Sequence, residues 1–324
     1  MERWSNDTPI LQYSNTPTKL MATTISKRSS NSETKLIALL GYPVRHSVSP
    51  QFQNVALETL GINTKYLAFE VPPDKIKIAF KGLCTLGAIG ANITVPYKET
   101  IYKMCSKCSP EARVIEAVNT VKFEDGKAIG FNTDAYGITA ALKESRQKFK
   151  AAKVVVLGGG GAARAAVTQA VFDGAKEICV LNRTVSKAKT LVKNISAKVE
   201  LLPKKEKPKS LPKFTVGGYK IIEKALKDAS VLINASSVGL KKDDPHLFDY
   251  KIIKPSTFVY DMVYNPPMTP LLLEAKRRGC KTANGITMLL HQGAKAFEIW
   301  FNRPAPVELM RNRLLHPNIF AGSK

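Results

Sequence analysis

No apolar run in this chain approaches the roughly 20 residues of a membrane span. A secretory signal is missing too, and the Ser-, Thr- and Asn-rich first 35 residues lack the Arg-rich amphipathy of a transit peptide. Cysteine is scarce: five residues, an odd number, are spread along 324 positions. That excludes a secreted disulfide framework and points to a reducing compartment, here taken as the cytoplasm. Cys105-x-x-Cys108 has the spacing of half a zinc site or a redox pair, but no second pair or suitably spaced His accompanies it. No metal site is expected, and the two read as incidental thiols in a Lys/Ser-rich stretch. Acidic residues are also few, 26 against 49 Lys and Arg, for a net charge of +23. Such an excess serves either nucleic-acid binding or a lysine-rich enzyme whose small substrates are anions. The basic residues are scattered, and the densest run, 203–213, has three prolines and no apolar period. It reads as a solvated connector, so charge alone does not make nucleic acid a partner.

What is present is an alternation of short apolar strands and amphipathic helices, with no repeat at solenoid spacing. Residues 1–35 are expected to form a disordered extension, and Met21 stands beside Met1 as a start. Leu36–Leu40 reads as a strand and Ser49-Pro50 as a helix N-cap and first turn, with Phe52, Val55, Ala56 and Leu60 inward. Strands follow over 66–71 and 88–93, around a helix over 74–86. Pro96 is expected to start a further helix with Lys98 in its first turn. Asp125-Gly126 marks a hairpin between 119–123 and 128–131, and a helix over 134–148 leads into a second unit.

That unit is organised by Lys153–Ala166. Val154–Leu157 is a run suited to a parallel strand buried on both faces, and an Ala-rich helix follows it. Between them Gly158, Gly160 and Ala163 fit G-x-G-x-x-A, the turn whose backbone approaches a pyrophosphate at a helix N-terminus. The NAD form of this turn is followed about 20 residues on by a carboxylate that binds the ribose hydroxyl. Here the next strand, 177–181, ends in Asn182-Arg183-Thr184, with Lys187 beyond and no acid. Arg pairs well with a phosphate, and cations at a helix start are unfavourable unless an anion sits there. NADP is therefore expected rather than NAD.

A reductase using that cofactor needs a group to protonate the oxyanion that forms as hydride arrives. Lys98 and Asp134 are the pair offered, one after a strand end and one after the hairpin. On spacing alone a solvated Lys98 and a helix-capping Asp134 remain the competing reading.

At this point the motifs resemble the shikimate dehydrogenase family. They are His46-Ser-Val-Ser-Pro50, Asn92-Ile-Thr-Val-Pro-Tyr-Lys98, Ala117-Val-Asn-Thr120, Gly130-Phe-Asn-Thr-Asp134, Asn182-Arg-Thr184, Asn234-Ala-Ser-Ser-Val-Gly239, Asp261-Met-Val-Tyr264 and the stretch from Asn284 to Gly293. They run in family order from about residue 36 to 302. The resemblance implies an α/β architecture: an N-terminal substrate domain with a mainly parallel sheet, a C-terminal Rossmann NADP-binding domain, and an active site in the cleft between them. The expected division is 36–133, completed by helices over 286–315, and 134–285. It implies NADPH-dependent reduction of 3-dehydroshikimate to shikimate, with Lys98 as acid/base and Asp134 its partner. Ser47 and Ser49 would bind the substrate carboxylate; Thr94, Asn119, Asp134 and Gln292 the ring hydroxyls; Tyr264 would line the pocket. Gly158, Gly159, Gly160, Gly161, Ala162, Asn182, Arg183, Thr184, Lys187, Met262 and Gly285 would contact NADP.

The chain departs from the family pattern at Lys187, where Arg is frequent, at Gln53, where His is frequent, and in the basic connector. The nearest rival is a quinate or dual quinate/shikimate dehydrogenase; the two serines, Thr94 and Arg183 favour shikimate with NADP. An intact Lys98 and Asp134 count against a catalytically silent NADP sensor. No exposed apolar stripe argues for a homodimer, which stays open.

Overall fold

Two six-stranded sheets organise the computed structural model, which describes residues 30–316. The first is built from β1 (Lys35–Gly41), β2 (Thr64–Glu70), β3 (Gly90–Ile93), β4 (Lys107–Cys108), β5 (Thr120–Glu124) and β6 (Lys127–Phe131), with α1 (Ser49–Thr59), α2 (Ile76–Thr85), α3 (Lys98–Tyr102) and α4 (Pro110–Ile115); α5 (Thr133–Glu144) then turns Ile138, Ala141 and Leu142 into the core of the second unit. The first sheet's order is β2-β1-β3-β5-β6-β4, parallel except that β5 runs against both neighbours. Strand alternation splits β1 between two cores. Ala38 and Leu40 pack with Phe80, Ile93 and Ile101 on one face, while Ile37 and Leu39 meet Phe52, Phe297 and Trp300 on the other. Both faces are covered, which is why the strand is apolar throughout.

The second sheet comprises β7 (Lys153–Leu157), β8 (Glu177–Leu181), β9 (Lys213–Gly217), β10 (Val231–Asn234), β11 (Phe258–Asp261) and β12 (Thr282–Asn284). Its helices are α6 (Gly161–Phe172), α7 (Val185–Glu200), α8 (Ile222–Leu226) and α9 (Pro270–Arg277). All strands are parallel in the order β9-β8-β7-β10-β11-β12, the 3-2-1-4-5-6 arrangement of the doubly wound dinucleotide fold. From β12 the chain enters α10 (Gly285–Phe301), which packs along α5 and returns to the first sheet, where the Trp300 indole donates to the Val121 carbonyl at 2.9 Å. Then α11 (Val307–Leu315) packs on α1.

Several expectations need correcting. Val48, not Ser49, is the N-cap of α1, and no side chain caps that end. The Ser49 side chain lines the cleft described below instead. Pro96 lies ahead of α3, which begins at Lys98. α5 stops at Glu144, four residues short of the expected 148. The connector leads into an unpredicted strand, β9, because its Lys-Phe-Thr-Val-Gly sequence carries an edge strand's weak apolar signal. Most of the expected N-terminal extension, residues 1–29, lies outside the described residues. Its last residues are held in place: Thr34 donates to Asn63 at 2.8 Å, and Asn31 accepts from Asn63 at 3.0 Å.

Glu144 ties the C-terminal helices to α5. His291 of α10 lies 2.8 Å from its carboxylate, and Arg311 of α11 bonds the same oxygen. Burial would raise the Glu144 pKa, but the bonds from His291 and Arg311 outweigh it and hold the carboxyl below its ordinary range. Stability from this group is therefore complete above the unfolded value of about 4.3 and is lost as pH falls through the folded pKa. About a third of the carboxylate is exposed, so solvent screens the effect. Glu144→Gln is expected to lower Tm by about 1–3 °C at pH 7, with the deficit vanishing in strong acid. A deficit that stays constant from pH 7 downward in thermal melts would refute the role.

Candidate active site

A cleft of about 450 Å³, within the range of small-molecule sites, is lined from the first sheet by the ends of β1 and β3 and from the second unit by Ala162 at the start of α6, Met262 after β11 and Gly285 after β12. The second sheet's strand order reverses between β7 and β10, the crevice where this fold holds a dinucleotide.

Lys98 is the first residue of α3 and Asp134 lies in the first turn of α5. Their side chains meet at 2.6 Å, with Lys98 30% and Asp134 18% exposed, so both still reach the cleft. The helix cap is Asn132, whose side chain accepts from the Ala135 N–H, and this leaves the Asp134 carboxylate for other partners. Its second oxygen accepts from the Asn119 amide at 2.8 Å. Asn119 is itself fixed, its oxygen accepting from the Thr133 N–H at 2.7 Å. With both carboxylate oxygens engaged, Asp134 orients an ammonium that keeps donors for a ligand. The Gln292 amide oxygen, on α10, lies 3.5 Å from Asn119.

Ser47, Ser49, Thr94, Lys98, Asn119, Asp134, Tyr264 and Gln292 all line this one cleft, as do Ala162, Met262 and Gly285. The elements that deliver them are distant in sequence: the loop into α1, the end of β3, the end of β11 and the middle of α10. Gln53 donates to the Gly293 carbonyl at 2.9 Å, bracing α10 beside Gln292. The other expected cofactor residues form a separate surface beside the cleft. Gly158, at φ +131°, makes the tight turn after β7; a Cβ there would sit 2.7 Å from the Ala235 carbonyl at the end of β10. Gly160 is the N-cap of α6 with no side-chain cap, so the N–H groups of Gly161 and Ala162 remain as donors for an anion. Gly159 lies against Asn182 and the Lys187 stem. Arg183, Thr184 and Lys187 are exposed at the start of α7, which has no acidic residue in its first turn. Among the described residues Arg183 makes no ion pair with a carboxylate.

Sequence reasoning missed the support beneath these groups. The Tyr66 hydroxyl donates to the Asn92 oxygen at 2.8 Å. Asn92 in turn donates to the Asn119 carbonyl and the Thr120 hydroxyl, each at 3.0 Å. Burial pushes the Tyr66 phenol far up, so it stays protonated. Nothing in the apolar strand Tyr66–Val71 marks that hydroxyl, although Asn92 opens one of the family motifs. Arg164, in the first turn of α6, donates to the Ile115 carbonyl at 3.0 Å and joins the two sheets' helices. Asp261, fully buried and with its carboxyl pushed up by burial, accepts from Asn234 at 2.9 Å and Thr269 at 2.6 Å, pinning the β10 and β11 ends next to Met262.

Comparison with known proteins gives this geometry a family. Residues 39–121 match the shikimate dehydrogenase substrate binding domain, 140–238 the shikimate/quinate 5-dehydrogenase family, and 285–315 the shikimate 5′-dehydrogenase C-terminal domain. The shikimate dehydrogenase (NADP(+)) of Methanopyrus kandleri is 41% identical over 290 residues, covering 89% of this chain and 97% of its own. Shikimate 5-dehydrogenase from Listeria monocytogenes, solved with shikimate and NAD, is 35% identical with a TM-score of 0.81 over 89% of this chain and 98% of its own. The Thermus thermophilus enzyme, solved with NADP(H) and shikimate, is 32% identical with a TM-score of 0.74 over 87% and 98%. With 41% identity over 290 residues to one such enzyme and these domain matches, the chain belongs to the shikimate dehydrogenase family.

Proposed function

We propose that this protein catalyses the reversible NADPH-dependent reduction of 3-dehydroshikimate to shikimate, a step in aromatic amino-acid biosynthesis, in a reducing cytoplasm. The observation that carries the reading is the Lys98–Asp134 pair, held by Asn119 in a cleft that also contains Ser47, Ser49 and Gln292. The Listeria and Thermus relatives, both solved with shikimate, support the substrate, and the Methanopyrus NADP(+) enzyme and the Thermus structure with NADP(H) support the cofactor.

The residues present fit NADP. Uncapped N–H groups at the start of α6 suit the pyrophosphate, and Arg183 with Lys187 suits a 2′-phosphate. Met262 and Gly285 line the cleft and would contact the nicotinamide end of the cofactor. When bound, the cofactor supplies or accepts the hydride. Lys98 donates a proton from Nζ to the carbonyl oxygen as it becomes an alkoxide, and takes it back in the oxidative direction. Asp134 keeps Nζ aimed and its positive charge close to the developing oxyanion. Ser47 and Ser49 hold the ring carboxylate at one end, while Thr94, Asn119 and Gln292 bind hydroxyls and fix which carbon faces the nicotinamide. We assign residues 36–133 and 286–315 to the substrate domain and 134–285 to the nucleotide domain. The +23 charge suits an enzyme whose small ligands are both anions, and the reading requires no nucleic acid.

Quinate differs from shikimate by an extra hydroxyl on a saturated ring, so oxidation of both is to be measured, each with NADP and NAD. The expected preference is for shikimate with NADP, and the reverse pair would overturn the assignment.

A further inference from the structure

The fold gathers two thiols at a place with no part in the proposed reaction. Cys105 follows α3 and Cys108 lies in the edge strand β4, which pairs with Gly130 of β6. Both sulfurs lean over Gly130: a Cβ on that residue would lie 2.8 Å from Cys105 Sγ and 3.1 Å from Cys108 Sγ. The bare glycine is what leaves room for the pair. The Cys105 thiol donates to the Ile101 carbonyl at 3.3 Å, and the Cys108 sulfur lies over the same bare glycine. The two thiols share a solvent-open hollow with Tyr102 and Arg113, and Arg113 is ion-paired to Glu206 from the connector before β9. The described residues contain no group of three His, Cys, Asp or Glu suited to a metal. Two adjoining thiols beside a guanidinium are thus arranged for thiol chemistry rather than for zinc.

We propose that Cys105 and Cys108 form a redox-active dithiol centre that exchanges with disulfides reaching it from solution. This reverses the reading of the two as incidental thiols, which rested on sequence spacing alone. The charge environment assigns the roles. The neighbouring Cys105 thiol outweighs burial and, with the Gly130 backbone and Arg113, holds the Cys108 thiol below its ordinary range. The neighbouring Cys108 sulfur and burial push the Cys105 thiol up. Cys108 is accordingly the attacking thiolate and Cys105 the resolving thiol. In the first step the Cys108 sulfur bonds one sulfur of a small disulfide, and the other sulfur leaves as a thiolate. In the second, Cys105 loses its proton and attacks Cys108 Sγ, forming the Cys105–Cys108 bond and releasing the second thiolate. The dithiol is oxidised by two electrons and the external disulfide is reduced to two thiols. Closing the bond also removes the S–H that Cys105 donates to the Ile101 carbonyl, in the same short helix that opens with Lys98.

The test uses the full chain, fully reduced, with oxidised glutathione as the probe and mass mapping as the readout. The wild type is expected to become two hydrogens lighter, with the new bond mapped to Cys105 and Cys108. Cys105→Ser should retain one glutathionyl group on Cys108, and Cys108→Ser should give neither product. Cys84, also partly exposed, is the internal reference. With an aromatic disulfide reagent at neutral pH, Cys108 should react at least about tenfold faster than Cys84. Equal rates at Cys84 and Cys108, or a wild type that gathers separate glutathione adducts without an internal bond, would overturn the proposal. The wild-type mapping needs no substitution, so it decides the matter even where a variant fails to fold, and none of these readouts depends on the dehydrogenase reaction.

Discussion

Lys98→Ala is expected to lower turnover with shikimate and NADP by about 10²–10⁴-fold while changing the apparent affinity for shikimate only modestly. The loss corresponds to about 3–5 kcal/mol of transition-state stabilisation. It has two sources: the proton donor is gone, and so is the positive charge next to the forming oxyanion. Little of the substrate's binding is lost, because Ser47, Ser49, Thr94 and Gln292 line the cleft independently of Lys98. Folding should survive, since the 2.6 Å pair with Asp134 is partly exposed and Asp134 keeps its bond from Asn119. Steady-state rates at saturating NADP would check this. A fall in kcat of less than tenfold, or a loss confined to KM, would remove Lys98 from the acid/base role.

Arg183→Ala is expected to weaken NADP(H) about 10–100-fold and NAD(H) by little, on the scale of a hydrogen-bonded charge pair of about 1.5–3 kcal/mol. Arg183 is exposed at the start of α7 with no carboxylate partner among the described residues, so its removal breaks no ion pair within them. Lys187 adds a second cation to the same helix start, so Arg183→Ala combined with Lys187→Ala should approach equal use of the two cofactors. Cofactor titrations of the free enzyme give the two affinities directly. Equal losses for NADP and NAD would mean that Arg183 serves the shared part of the dinucleotide, or only the fold.

Much of the second sheet is legible in the sequence because its strands are buried on both faces and bounded by sharp turn residues. Glu177–Leu181 and Val231–Asn234 have the expected limits, and the Gly158 turn sits where the glycines place it. β9 is not legible, since an edge strand needs no continuous apolar run. Ser49 is a similar case. Its place before Pro50 fits a cap, and only the assembled cleft shows that its side chain lines a site instead.

The sequence by itself determined the alternating α/β pattern, the phosphate-binding turn and the absence of an acidic residue after β8, because these depend on local periodicity and backbone chemistry. It also carried the motifs that mark the family. Only the tertiary structure decided that Asp134 is free of capping and bound to Lys98, that Asn119 aligns it, and that Cys105 and Cys108 share the bare face of Gly130. Those facts depend on distances between residues far apart in the chain, or on a neighbouring strand, and they are set by how strands pair and how α10 packs back along α5. A one-dimensional pattern holds the residue types, but their mutual approach exists only once the sheets are assembled.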